Sequence, residues 1–293
     1  MANKGTLLVT GASGHLGQQV LESLLKKSDG KNKIIATSRD KNKLKSFTDR
    51  GVDTRSADFG DAASLDQAFA GADRLLIIST DAIGSRLAQH KNAIDAAVKA
   101  GVKHLVYTSW INPDRSPALV AADHIATEKL IEKSGLTYTI LRNSFYTDNL
   151  LGALPHAIQS GTLAGAQGGG RQAYVTREDC ARAAAGALLS EDYTNAIYDI
   201  TGPRAVSYPE LAKILSEISG KEIKSLDLPA SDYKGALVGS GLPEPVAELF
   251  LSFDLSVKQG SVAGVSTAVK DLSGQAPQDI KDFLIANKKS FLS

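Results

Sequence analysis

Residues Thr6–Thr10 read TLLVT, and Gly11-Ala12-Ser13-Gly14-His15-Leu16-Gly17 follows directly, with three glycines at GxxGxxG spacing. Few folds accommodate that order. A five-residue apolar run suits a strand buried on both faces. The stretch His15–Lys27 then places Leu16, Val20 and Leu24, with Leu21 and Leu25, at i, i+4 spacing on one helix face. Glycines between such a strand and such a helix allow a sharp turn, close backbone approach to a ligand and tight helix–strand contact. The start of the helix offers N–H groups and a partial positive charge, which suits a phosphate. The first gap is one residue longer than in the GxGxxG form. The placement is that of a dinucleotide-binding strand–turn–helix unit.

The alternation continues along the chain. Lys33–Thr37, Val52–Arg55, Leu75–Ser79, His104–Ser109 and Thr137–Leu141 read as strands. Helical patterns cover Ala63–Ala70, Arg86–Ala100 and Ala122–Ser134, the last two stopped by Gly101 and Gly135. Strands this apolar, joined by helices, make a parallel sheet with right-handed crossovers. Regularity weakens after Asn143. Gly161–Gly170 is glycine-rich, Arg177–Ser190 and Ala196–Ile200 return a helix and a strand, and Ser207–Gly220 opens a helical tail. The expected class is α/β: a doubly wound parallel Rossmann sheet with a smaller, mostly helical C-terminal lobe. Residues 1–150, rejoined by 175–202, are expected to form the dinucleotide-binding domain. Residues 151–174 and 203–293 are expected to form the substrate-side lobe, over the sheet edge where open α/β sheets bind ligands.

Composition excludes several functions. The 293 residues carry a net charge of +1, which gives no electrostatic case for nucleic acid or a membrane surface. Cys180 is the single cysteine, so neither an internal disulfide nor a metal cluster is expected. It reads as a small hydrophobe in a helix. No apolar run approaches the roughly 18 residues of a membrane span. The chain is expected to be soluble and cytoplasmic, without metal, membrane or nucleic-acid partners; a homodimer stays open.

Cofactor choice is read after the second strand, at Thr37-Ser38-Arg39. A carboxylate there would accept the ribose hydroxyls of NAD. Arg39 instead suits a 2′-phosphate and the face of adenine, with Lys43 in support, so NADP(H) is the expected cofactor. The alternative for Arg39 is a solvated surface arginine. Asp58 and Phe59 follow the third strand and are candidates to flank the adenine, or else form a loop cap and a packed aromatic. Ser79, Thr80 and Asp81 after the fourth strand, and Ser109 closing the fifth, lie where the nicotinamide half would sit. Lys129 lies on the next helix. A serine there and a lysine on that helix match the layout of short-chain dehydrogenases, in which a tyrosine stands four residues before the lysine. That position is Ile125. His124 is its neighbour, about 100° away around the helix, and reads as structural or as a pocket wall. Without the tyrosine, an acceptor that needs little acid assistance is expected, such as a quinone.

At these residues the chain resembles the NmrA-like atypical short-chain dehydrogenase/reductases. The likeness is carried by TGASGHLGQQVLESL, LLIISTDAIGSRLAQHKNAIDAAVKAGVKHLVYTS, DHIATEKLIEKSGLTYTILRN and FYTDN, and more weakly by YVTREDCARAAAGAL. The nearest branch is NAD(P)H:quinone oxidoreductase type 2, with triphenylmethane-dye reductases as relatives. The resemblance implies a phosphate cradle at Gly11, Ala12, Ser13, Gly14, His15, Leu16 and Gly17, with Arg39 on the 2′-phosphate. Ser79, Thr80 and Asp81 would line the nicotinamide ribose. Asn143, Ser144, Phe145 and Asn149 would close over the nicotinamide. Trp110, His124, Phe145, Tyr146 and Arg177 would line the substrate pocket. Lys129, Ser109 and Tyr146 are the catalytic candidates, Lys129 touching the cofactor as well. The family usually carries glycine and tryptophan where this chain has Ser144 and Phe145, which puts substrate identity in doubt. Two functions stand: an NADPH-dependent reductase of quinones or similar flat electron-poor compounds, and a non-catalytic NADP-binding redox sensor.

Overall fold

The computed structural model describes residues 5–28, 30–82 and 84–292. Residues 1–4, at the head of the expected first domain, and 293, at the tail of the lobe, lie outside them. The strands are β1 (Thr6–Val9), β2 (Lys33–Ser38), β3 (Asp53–Ser56), β4 (Arg74–Ile77), β5 (His104–Trp110), β6 (Thr137–Asn143), β7 (Thr162–Gly165), β8 (Arg171–Gln172), β9 (Ala196–Ile200), β10 (Val206–Ser207) and β11 (Lys224–Asp227). The helices are α1 (His15–Lys27), α2 (Lys45–Thr48), α3 (Ala62–Phe69), α4 (Arg86–Lys99), α5 (Ala121–Lys133), α6 (Leu154–Ser160), α7 (Arg177–Leu189), α8 (Tyr208–Ser219), α9 (Ala230–Gly239), α10 (Glu244–Lys258), α11 (Ala268–Ser273) and α12 (Ile280–Ala286).

Seven strands form one parallel sheet in the order β3-β2-β1-β4-β5-β6-β9. The order reverses beside β1, between β1 and β4, which is where such a sheet leaves a crevice for a ligand. Leu7 and Val9 of β1 face a core shared with α1, α7 and α11. Leu8 faces the opposite core, shared with α3, α4 and α5. This two-sided burial is the physical reason for the apolar strand runs.

The lobe is built on a third core, in which Leu154, Ile158, Leu211, Leu215 and Phe283 meet. Alongside its helices are two small sheets, β7 with β11 and β8 with β10. Asp254 of α10 ties these parts together, accepting from the Ala166 N–H at 2.7 Å and from Gln167 Nε2 at 2.8 Å. One stretch departs from the expected lobe. In α11, Ala268 and Val269 pack instead into the sheet core beside α7.

The α7–α11 contact is close enough to reverse a helix-propensity rule. A Cβ on Gly186, within α7, would overlap the Leu272 carbonyl oxygen and lie 2.7 Å from its carbonyl carbon. Alanine usually gains about 1 kcal/mol over glycine inside a helix. Overpacking costs about 1–3 kcal/mol, and here the neighbour is backbone. Gly186→Ala is therefore expected to lower the urea midpoint of unfolding; a raised midpoint would refute the close contact.

Candidate active site

The phosphate loop is shaped by backbone contact. Gly11 takes φ +58°, and the Gly14 N–H donates to the Gly11 carbonyl at 3.0 Å. A Cβ on Gly17 would overlap that same carbonyl oxygen and sit 2.7 Å from Ala12 Cα. Helix α1 thus starts hard against the loop. Its N-cap residue, Gly14, supplies no side-chain cap, and its first turn holds no acidic residue. The first-turn N–H groups and the positive end of the dipole are left for an anion. Ser13 Oγ lies 2.9 Å from Ser38 Oγ, joining the loop to the end of β2.

Arg39 follows β2 and is exposed. The neighbouring carboxylate of Asp40 is engaged, accepting from the Asn42 N–H at 3.0 Å as the cap of a short 3-10 turn. Exposed Lys43 sits in that turn. Asp58 closes its own turn by accepting from the Gly60 N–H. Phe59 packs against the α3–α5 core with its ring edge toward His90. Those contacts are a loop cap and a packed aromatic.

Beyond β4 the chain is held by a buried neutral network. Thr127 Oγ1 donates to the Asp123 carbonyl at 2.8 Å, so it accepts from His90 Nδ1 at 2.9 Å. His90 Nε2 then accepts from the Thr80 N–H at 3.1 Å. Burial lowers His90 to about 3, in keeping with an acceptor nitrogen. The Ser79 N–H donates to Thr108 Oγ1 at 2.9 Å. Asp81 follows and is exposed.

Three polar atoms at this edge, Thr80 Oγ1, Asn143 Oδ1 and Ser144 Oγ, are buried without a hydrogen-bond partner. Buried polar atoms are rarely left so. They stand at the ends of β4 and β6, where a ligand with hydroxyl and amide groups would satisfy them. Together with the glycine cradle and Arg39, they fit a phosphorylated dinucleotide laid across the crevice.

A slot of aromatic rings adjoins the orphan atoms. Trp110 stacks on Phe253 of α10 with centroids 5.3 Å apart. Phe145 meets both edge-on, at 5.1 Å and 5.0 Å. Trp110 is paired in register with Asn143, so the slot begins where the orphan atoms end. Tyr146 Oη accepts from Asn143 Nδ2 at 3.0 Å, and the Arg177 guanidinium lies 5.3 Å from the centre of its ring. Arg177 also bonds Asn149. Burial raises the Tyr146 phenol well above its ordinary value, so it keeps its proton.

Of the catalytic candidates, Lys129 faces solvent and Ser109 is bonded within the protein. Lys129 is exposed on α5, while Glu128 and Thr127 beside it are buried. One residue of helix is about 100° of rotation, so Lys129 lies off the buried face of α5. Ser109 is buried, but its hydroxyl donates to Glu128 Oε1 at 2.6 Å. Its one proton is spent there and does not reach a substrate. Glu128 is in turn gripped by Arg142, through Nε at 3.0 Å and Nη2 at 2.6 Å. The sequence reading missed Glu128 and Arg142, as well as His90, Thr127 and Phe253. The i, i+4 spacing of His124 and Glu128 was the available signal for one buried polar face on α5.

The chain is similar to known proteins over nearly its whole length. The NmrA-like family model matches residues 3–284. Quinone oxidoreductase 2 of Escherichia coli K12 is 37% identical over 268 residues, covering 92% of this chain and 93% of that protein. The crystal structure of the E. coli NADPH-dependent enzyme in complex with NADPH superposes with a TM-score of 0.91 at 35% identity, covering 97% of this chain and 99% of that one. Triphenylmethane reductase of Citrobacter sp. in complex with NADP(H) gives 0.88 at 35% identity, with the same coverage.

The cradle makes a direct prediction. Gly17→Ala must push α1 away from Gly11, so affinity for adenine dinucleotide phosphates should fall by about tenfold or more, or ~1.4 kcal/mol. Titration calorimetry reads this; unchanged affinity would remove Gly17 from the site.

Proposed function

The chain belongs to the NmrA-like family, and from that premise we propose that it is an NADPH-dependent oxidoreductase that reduces quinones or similar flat, electron-poor acceptors. The observation that carries this reading is the aromatic slot of Trp110, Phe145 and Phe253 opening beside buried, unpartnered Thr80, Asn143 and Ser144. A flat acceptor stacks well on the half-buried outer faces of such a ring cluster. The relatives named for quinone and dye reduction support it.

When bound, NADPH supplies a hydride from its nicotinamide ring. Gly11–Gly17 and the start of α1 hold the pyrophosphate. Arg39, with Lys43, neutralises the 2′-phosphate. Ser79, Thr80 and Asp81 face the nicotinamide ribose, and Asn143, Ser144, Phe145 and Asn149 close over the ring. Trp110, Phe145, Tyr146 and Arg177 form the acceptor wall. The glycine cradle and sheet make one unit and the α8–α10 region a second that carries Phe253. Among the described residues no helix is long and apolar enough to cross a membrane. A cytoplasmic setting, free of nucleic-acid and membrane partners, belongs to the same reading.

The purified protein, mixed with NADPH and a panel of quinones, should show quinone-dependent loss of nicotinamide absorbance, slower with NADH. Tight NADPH binding without oxidation by any acceptor would favour a redox sensor instead. Arg39→Asp should weaken NADPH by about tenfold or more, as expected for a lost charged contact, while sparing NADH. An unchanged preference would refute the role of Arg39.

A further inference from the structure

His124 stands in the first turn of α5 and is only 6% exposed. Its Nδ1 lies 2.8 Å from Tyr107 Oη. Its Nε2 makes no hydrogen bond among the described residues. Tyr107 is fully buried, so its phenolic proton needs an acceptor. Tyr107 Oη makes one hydrogen bond of good geometry among the described side chains, the one to His124 Nδ1. The phenol therefore donates to it and the imidazole proton sits on Nε2. Burial, reinforced by Arg86 and His90, lowers His124 to about 3, and the ring stays neutral at physiological pH. A neutral imidazole of this kind donates a hydrogen bond and keeps its proton.

Two contacts tie the segment that carries this ring to the end of β5 and to α10. Glu128, one turn along the same face of α5, holds Ser109 near the end of β5. The Leu119 N–H, two residues before α5, donates to Ser252 at 3.1 Å, and Ser252 precedes Phe253 of the aromatic slot. The segment from Leu119 to Glu128, with His124 in its middle, is therefore bonded to the end of β5 and to the helix that carries Phe253.

We propose that His124 is a catalytic residue whose Nε2–H donates to the acceptor's carbonyl oxygen, and that Tyr107 is the positioning residue that keeps the proton on Nε2. This rests on the reductase reading. The acceptor gains the hydride as the nicotinamide is oxidised, and an electron pair from the carbonyl π system settles on oxygen. The donor bond strengthens as that negative charge grows, which is where it lowers the barrier. Water then protonates the oxygens and removes the proton from the ring carbon that took the hydride, a net gain of one proton that gives the aromatic hydroquinone; His124 gives up none.

The experiment has two arms. In the first, wild type, His124→Ala, His124→Gln and Tyr146→Phe are compared for quinone-dependent NADPH oxidation and NADPH affinity. His124→Ala should lower kcat by about 100-fold, the usual loss for one such donor, with NADPH affinity within about twofold. Gln, whose amide N–H replaces Nε2–H, should restore at least about tenfold of that loss. In the second arm, long-range 1H–15N spectra of the histidine rings are recorded without cofactor. The signal that His124→Gln removes should show the Nε2–H tautomer, and Tyr107→Phe should mix the two tautomers. An active wild type with His124→Ala near its rate, or with the loss carried by Tyr146→Phe instead, overturns the proposal alone. An Nδ1–H tautomer in wild type also overturns it. An inactive wild type overturns the reductase reading and this proposal with it.

Discussion

Helix α1 has no freedom to stand off from the strand that precedes it. The position of Gly17 against the Gly11 carbonyl leaves no room for a side-chain carbon, so the helix axis, the loop and β1 move as one body. Everything at the crevice refers back to that contact. It aims the helix N-terminus across the sheet edge, and it fixes Ser13 against Ser38 so that Arg39 emerges beside the phosphate end. The sheet order then sets β4, β5 and β6 in line on the other side of the reversal. A dinucleotide spans from one side to the other because the two halves share a rigid parallel sheet.

The far half of the site is governed by a different economy of charge. His90, Tyr107, His124 and Thr127 form a neutral buried layer in which each proton has an assignable place. Glu128 and Arg142 form a charged pair beside it, with Ser109 completing the carboxylate's hydrogen bonds. A buried carboxylate is tolerable only when paired and bonded in this way. The pair holds β5, β6 and α5 in register without contributing a proton to chemistry. Segregating the ionic contacts from the neutral ones leaves the reacting edge with donors and acceptors whose states do not change near pH 7.

The sheet, its crossovers and the phosphate loop were legible in the sequence because they depend on local pattern: apolar runs, i, i+4 faces and glycine spacing. The reacting edge was not. Lys129 looked catalytic from spacing to Ile125, but the buried face of α5 is set by His124 and Glu128, and a shift of one residue turns a side chain from the sheet to solvent. Ser109 was placed correctly at the strand end, yet its partner Glu128 lies 19 residues away, a pairing no local pattern reveals. Phe253 belongs to the lobe, more than 100 residues beyond the rings it meets, so the slot exists only in three dimensions.

Ser144 and Phe145, the two residues after β6, are placed to matter. Ser144 is buried with an unpartnered Oγ, so it adds a polar atom at the edge and lacks the backbone latitude of glycine. Phe145 is smaller than tryptophan, and it meets Trp110 and Phe253 edge-on. A larger ring there would press on both partners, and a smaller one leaves them stacked on each other. The slot's width is therefore set jointly by β5, the turn after β6, and α10. Ser116 Oγ, which accepts from Trp110 Nε1, also lies 2.9 Å from Ser256 Oγ of α10. A movement of the lobe that shifts α10 carries Phe253 and Ser256 with it, while the phosphate loop is held by contacts within the sheet unit, to α1 and to Ser38. Cofactor grip and acceptor fit are in this way mechanically separate within one chain.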